Sequence, residues 1–128
     1  MGEFRKEHVF ARRLVMLGFG CIGQGVLPLL LRHIEMRPEQ LLIISADEAG
    51  AEIARAQGVH LLGVPVTAGN LHQVLDPLLG AGDFLLNLSV DVSSHALIEF
   101  CQERGALYLD TCIEPWAGGY IDANLAPA

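Results

Sequence analysis

The sequence predicts an α/β domain built on a doubly wound parallel sheet with helices on both faces. Three observations predict it. Five short, nearly all-apolar runs alternate with helical patterns, and a continuous apolar run suits a strand buried on both faces of a parallel sheet. Glycines at positions 18, 20 and 23 follow the first run directly, where a strand would turn into a helix. The 128 residues are 52% hydrophobic and 18% charged, enough for one domain with a real core.

The strands are expected at Leu14–Leu17, Leu41–Ser45, Val59–Leu62, Phe84–Leu88 and Ala106–Leu109. Helical patterns lie between them, at about Ile22–Glu35, Asp47–Gln57, Leu71–Leu79 and Ser93–Arg104. Gly58 and Gly105 stand where helix C-caps belong. Ala68–Asn70 and Ser93–Ser94 offer N-caps. Pro28 should kink or re-aim the first helix, because its ring displaces one backbone hydrogen bond. Right-handed crossovers then favour strand order 3-2-1-4-5. After Leu109 the alternation stops, and D-T-C-I-E-P-W-A-G-G-Y-I-D-A-N-L-A-P-A is loop-like. The expected layout is an N-terminal extension over 1–12, the α/β domain over 13–110, and a loop over 111–128. That loop would lead to a substrate domain missing from this chain.

The uncharged stretch Leu14–Leu31 lies behind a twin arginine and has the length of a membrane span. It lacks a small-x-small cleavage site, which argues against a signal peptide. Four glycines and Pro28 interrupt it, and it sits inside the strand–helix alternation. Burial in a globular domain is therefore the better reading, with no membrane association.

Net charge is −7 and Lys6 is the only lysine, a poor basis for neutralising phosphates, so nucleic acid is excluded as a partner. An acidic balance suits cationic ligands such as amines. Cys21, Cys101 and Cys112 are odd in number and have no C-x-x-C spacing. They read as reduced thiols of a cytoplasmic protein. The scattered histidines form no metal-ligand pattern, and no metal is expected.

The motif G-F-G-C-I-G lies where its mechanics require, and it makes the domain Rossmann-type. Gly18 permits the tight turn, Gly20 lets the backbone approach a pyrophosphate, and Gly23 allows close helix–strand packing. Backbone N–H groups at the helix start, at Cys21 and Ile22, would meet the phosphate charge. A glycine-rich turn without a ligand is the plainer alternative. Asp47, with Glu48 beside it, is placed to bind ribose hydroxyls after the second strand, and would equally serve as a helix N-cap. No arginine or lysine lies between Ile44 and Ala54 to meet a 2′-phosphate, so NAD is favoured over NADP.

Ligands in such sheets lie beyond the carboxyl ends of the strands. Those ends carry Thr67, then Asn87, Leu88 and Ser89 within N-L-S-V-D-V-S-S, then Asp110 and Thr111, all candidate cofactor contacts. Loop hydrogen bonding and capping would also account for Asn87, Ser89 and Ser93. Asp91 and Glu114 are carboxylates on neighbouring strand ends, suited to holding an ammonium group or moving protons. Trp116 could offer its ring face to a cation, or could pack a domain boundary.

I-G-Q-G-V-L-P-L, N-L-S-V-D and D-T-C-I-E-P-W together resemble the N-terminal cofactor domain of the bacterial homospermidine synthase family, relatives of saccharopine dehydrogenase. The likeness runs from about Leu14 to Ala126. It implies a redox-neutral use of NAD. Putrescine is oxidised to an imine, a second amine (putrescine or spermidine) attacks, ammonia leaves, and the new imine is reduced. The full-length protein would be an aminobutyl transferase, a homodimer. Asp91 and Glu114 match acidic site positions of the family. Trp116 matches the motif with no definite role. The acid in I-S-A-D stands one or two residues further from the strand than the family pattern has it. Without the second domain, this chain alone is expected to be inactive. Another saccharopine dehydrogenase-like NAD(P) oxidoreductase remains an alternative, though these loops lack basic residues for a substrate carboxylate. A non-catalytic dinucleotide-binding module is a second alternative.

Overall fold

A computed structural model of the chain describes residues 8–118. Its elements are β1 (His8–Val9), β2 (Leu14–Leu17), α1 (Cys21–His33), β3 (Ile34–Glu35), β4 (Leu41–Ser45) and α2 (Ala51–Ala56). There follow β5 (His60–Gly63), α3 (Leu71–Leu75), β6 (Phe84–Asn87), α4 (Ser94–Arg104) and β7 (Leu107–Asp110). The main sheet has five strands in the order β5-β4-β2-β6-β7, all parallel. Counting those five alone, the order is the expected 3-2-1-4-5. The short strands β1 and β3 pair in parallel apart from it, so residues 8 and 9 are tied to the domain.

The central strand explains the two layers. All four β2 residues are buried, and alternation sends neighbours to opposite faces. Leu14 and Met16 meet Leu27 of α1 and Ala54 of α2. Val15 and Leu17 meet Leu71 and Leu75 of α3 with Leu97 and Phe100 of α4. Leu27, Leu75 and Leu97 are fully buried, and each such side chain stabilises by about 1.5–3 kcal/mol relative to exposure. The apolar stretch behind the twin arginine is thus a core strand followed by a helix that buries Gly23 and Leu27 and leaves Ile22 and Leu29 exposed. No described helix is long and apolar enough to cross a membrane.

Several element ends differ from the sequence expectation, each for a local reason. α2 begins at Ala51 rather than Asp47, because Asp47 Oδ1 accepts from Ala49 N at 2.9 Å and closes a turn first. Asp47 is therefore not the cap of that helix, and Gly50 is. α3 stops at Leu75, two residues before Pro77, which has no N–H to continue it. A looser turn carries on, with Leu78 N and Leu79 N both donating to Leu75 O. α1 runs uninterrupted through Pro28. Ser93 caps α4 by accepting from Ala96 N, and Gly105 ends it at φ 71°. Asn70 makes no side-chain cap for α3. Its Oδ1 accepts from Thr67 N and its Nδ2 donates to Pro65 O, which pins the loop after β5.

Candidate functional site

A cleft of about 620 Å³ opens at the carboxyl ends of the strands, where β2 and its neighbours give way to loops. Gly18, Gly20, Thr67, Ser89, Asp91 and Trp116 are among its walls. Its floor is largely apolar, with Leu17, Ile44 and Val92 contributing.

The three motif glycines do different jobs. Gly18 has φ +94°, and a Cβ there would lie 2.7 Å from Ser89 N and 2.8 Å from Leu88 C. The loop after β6 therefore presses directly on the glycine turn. Gly20 has nothing within 4 Å of where a Cβ would be. Gly23 would bring a Cβ to 3.1 Å from Gly18 O and 3.2 Å from Phe19 Cδ1, so it seats α1 against the turn. The ring of Phe19, in turn, is buried over Gly50. Gln24 Nε2 donates to Phe19 O at 3.1 Å and ties the turn to the helix. The first turn of α1 carries no acidic side chain, and helix geometry leaves its leading N–H groups without intrahelical acceptors. The place of a Cβ at Gly20, beside those donors, is open and leaves room for a phosphate group to approach the backbone.

The β6 end is organised by a buried polar network. Asn87 is 1% exposed. Its Oδ1 accepts from Ser89 N at 3.1 Å and Ser89 Oγ at 2.5 Å, and its Nδ2 donates to the Tyr108 hydroxyl at 3.1 Å. Tyr108 donates in turn to Asp110 Oδ2 at 2.8 Å. Burial pushes the Tyr108 phenol up to about 12, and the neighbouring Asp110 carboxylate adds to the shift.

A second set of bonds brings Glu114 to the backbone of Asp91. Ser94 N donates to Glu114 O, and Glu114 N donates to Ser94 Oγ, both at 2.9 Å. This reciprocal pair anchors the segment after β7 on the start of α4. Glu114 Oε1 then accepts from Asp91 N at 3.4 Å. Asp91 is the one non-glycine residue with positive φ among the described residues, at 64°, a conformation that Asp tolerates better than most side chains. Cys112, two residues before Glu114, has its thiol raised by a hydrogen bond to the Glu114 side chain.

The structure thus gathers Gly18, Gly20, Thr67, Leu88, Ser89, Asp91 and Trp116 around one cleft. Glu114 joins them through Asp91. Trp116 is half-buried, packing against the core as well as lining the cleft. Cys21 and Ile22 are exposed at the start of α1, and Gly23 is buried behind the turn. Asp47 is exposed past β4, outside the cleft wall formed there by Ser45 and Ala46. Asn87 and Asp110 are engaged in the network behind Ser89, and Thr111 is exposed outside the lining. The sequence does not single out Tyr108, and it offers Ser94 only as an N-cap. For Tyr108 a signal exists: L-Y-L-D places it two residues from Asp110, on the same side of an extended strand.

The family model of the saccharopine dehydrogenase NADP binding domain matches residues 14–124. The chain belongs to this family. Among the family's relatives, the homospermidine synthase of Blastochloris viridis is 44% identical over 130 residues, covering 99% of this chain and 27% of that protein. The homospermidine synthase of Mesorhizobium japonicum is 38% identical over 114 residues, covering 87% of this chain and 24% of that protein. A solved structure of the homospermidine synthase of Legionella pneumophila in complex with NAD superposes with a TM-score of 0.82. It is 38% identical, over 85% of this chain and 24% of that one. The chain therefore spans about a quarter of the length of the relatives it matches.

Proposed function

We propose that this chain is the NAD-binding portion of a homospermidine synthase. The amine chemistry rests on one observation, the contact between the Glu114 carboxylate and the backbone N–H of Asp91, a residue that lines the cleft. Adjacent carboxylates attract and orient an ammonium group, and Trp116 adds a ring face for the same cation. The net reaction joins two putrescines, or putrescine and spermidine, with loss of ammonia. NAD supplies the hydride acceptor and, once reduced, the donor. The glycine turn and the α1 N-terminus would hold its pyrophosphate, with Thr67, Leu88 and Ser89 along its flanks and Asp47 near the adenosine ribose. The family description names NADP, but Asp47 and Glu48, with no cation from Ile44 to Ala54, would repel a 2′-phosphate.

The reading extends to a cytoplasmic homodimer, supported by three free thiols and by the exposed Leu107 and Leu109 on edge strand β7. Residues 111–128 would lead to the substrate domain outside this chain. The test is steady-state kinetics on the full-length protein carrying Asp91→Asn or Glu114→Gln. Turnover of putrescine should fall at least about 100-fold, with NAD affinity within about twofold of wild type. Normal turnover by both variants would remove the carboxylates from the chemistry. Activity of the 128-residue chain by itself would show that no further domain is needed.

A further inference from the structure

The direction of every hydrogen bond in the Ser89–Asn87–Tyr108–Asp110 network is set by its two ends. At one end, Ser89 N can only donate, so the atom of the Asn87 amide that faces it must be Oδ1. At the other, the Asp110 carboxylate accepts from Tyr108, whose single hydroxyl hydrogen is then committed. The Tyr108 oxygen is left to accept from Asn87 Nδ2, which agrees with the orientation required at the first end. Ser89 also has one hydroxyl hydrogen, and it goes to Asn87 Oδ1 at 2.5 Å. Toward the cleft, Ser89 Oγ can offer only lone pairs.

This matters because Ser89 sits against Gly18, where a free serine hydroxyl would be expected to donate to a phosphate. The network forbids that. β6 lies on the opposite side of β2 from β4. A dinucleotide spans the two halves of such a sheet, so Asp47 on the β4 side meets the adenosine half and Ser89 meets the other. We propose that Ser89 Oγ is a hydrogen-bond acceptor for a donor group on the nicotinamide-riboside half of the dinucleotide, and that Asn87, Tyr108 and Asp110 hold it in that role. The donor is a ribose hydroxyl or the carboxamide amino group. The inference rests on the dinucleotide reading of the cleft.

The test is calorimetric titration of the chain with ADP, ADP-ribose and NAD. For Ser89→Ala, ADP affinity should stay within about twofold while NAD weakens roughly 5–10-fold, the effect of one hydrogen bond. An equal loss for ADP-ribose assigns the donor to the ribose, and a loss for NAD alone assigns it to the carboxamide. Tyr108→Phe, although Tyr108 does not line the cleft, should reproduce the pattern; a merely structural role would weaken ADP as well. Ser89→Ala binding NAD like wild type, or losing ADP affinity, overturns the acceptor role. Tyr108→Phe without effect overturns the positioning role. A wild-type chain that binds none of the three ligands overturns the dinucleotide reading and this inference together, whereas one that binds NAD regardless of Ser89 overturns the inference alone.

Discussion

Replacing Gly18 and Gly20 in turn by alanine should separate folding from cofactor binding within a single motif. At Gly18 the backbone has φ +94°, and the added Cβ would sit 2.7–2.8 Å from backbone atoms of Leu88 and Ser89. The strained φ costs a non-glycine residue about 1–3 kcal/mol. Displacing the packed backbone costs about 1–3 kcal/mol more. The total, about 2–6 kcal/mol, is a large share of the roughly 5–15 kcal/mol that holds a domain together. At roughly 4 °C per kcal/mol for a domain near this size, the melting temperature should fall by about 8–24 °C. Gly20 has φ −84°, which any residue adopts, and no atom within 4 Å of the new Cβ. Gly20→Ala should melt within about 2 °C of wild type, because a surface change away from special contacts moves stability by about 0.5 kcal/mol or less. It should nevertheless bind NAD at least about tenfold more weakly, since the methyl would occupy the place proposed for the pyrophosphate. Thermal denaturation by circular dichroism and NAD titration would be run on both variants. A Gly18→Ala chain as stable as wild type would refute the argument from close approach. A Gly20→Ala chain that binds NAD normally would refute the location of the phosphate site.

Two further outcomes follow from buried side chains. Burial raises the folded-state pKa of Tyr108 from the ordinary phenol value of 10.0 to about 12. Its contribution is fully present below pH 10 and lost as pH climbs toward 12, because the unfolded chain releases the phenolic proton first. Urea denaturation between those pH values should show a loss of about 1–2 kcal/mol attributable to this group, and Tyr108→Phe should flatten the slope; an identical slope in both proteins would contradict the assignment. Among the thiols, Cys21 and Cys112 are exposed and Cys101 is buried. Burial pushes Cys101 up to about 11 against the opposing charge of Arg104. An aromatic disulfide reagent at pH 8 should therefore modify Cys21 first and Cys112 more slowly. Cys101 should react only after denaturation, and its prompt modification in the native chain would contradict its burial.

The sheet was legible because its signals are local. An apolar run such as Leu41–Ser45 reports burial on both faces, and the glycine spacing from Gly18 to Gly23 reports backbone approach and close helix packing. Both depend on neighbours in the chain, and the handedness of crossovers then orders the strands. Ser93 and Gly105 were legible for the same reason, since a cap is a contact between residues three or four apart. Asp47 was ambiguous, because an Asp before a helix pattern can cap the helix, close a turn or wait for a ribose. A hydrogen bond from Ala49 N chose the turn over the cap.

The side-chain pairings at the strand ends belong to the tertiary structure. Asp91 meets Glu114 across 23 positions, and Asn87 meets Tyr108 across 21. Those partners are selected by the register of β6 on β7, which sets Leu85 beside Tyr108 and Asn87 beside Asp110. One residue of slip would turn every side chain of the strand to the other face, and no periodicity within either strand encodes that register. The need for glycine at position 18 has the same origin, for the atoms a Cβ would strike belong to Leu88 and Ser89 of another strand's loop. By itself the sequence determined the layers, the order of the five main strands and the place of the glycine turn, since these follow from backbone sterics and burial along the chain. Only the packed sheet decided which polar groups face one another, because that depends on distances between segments that are remote in sequence.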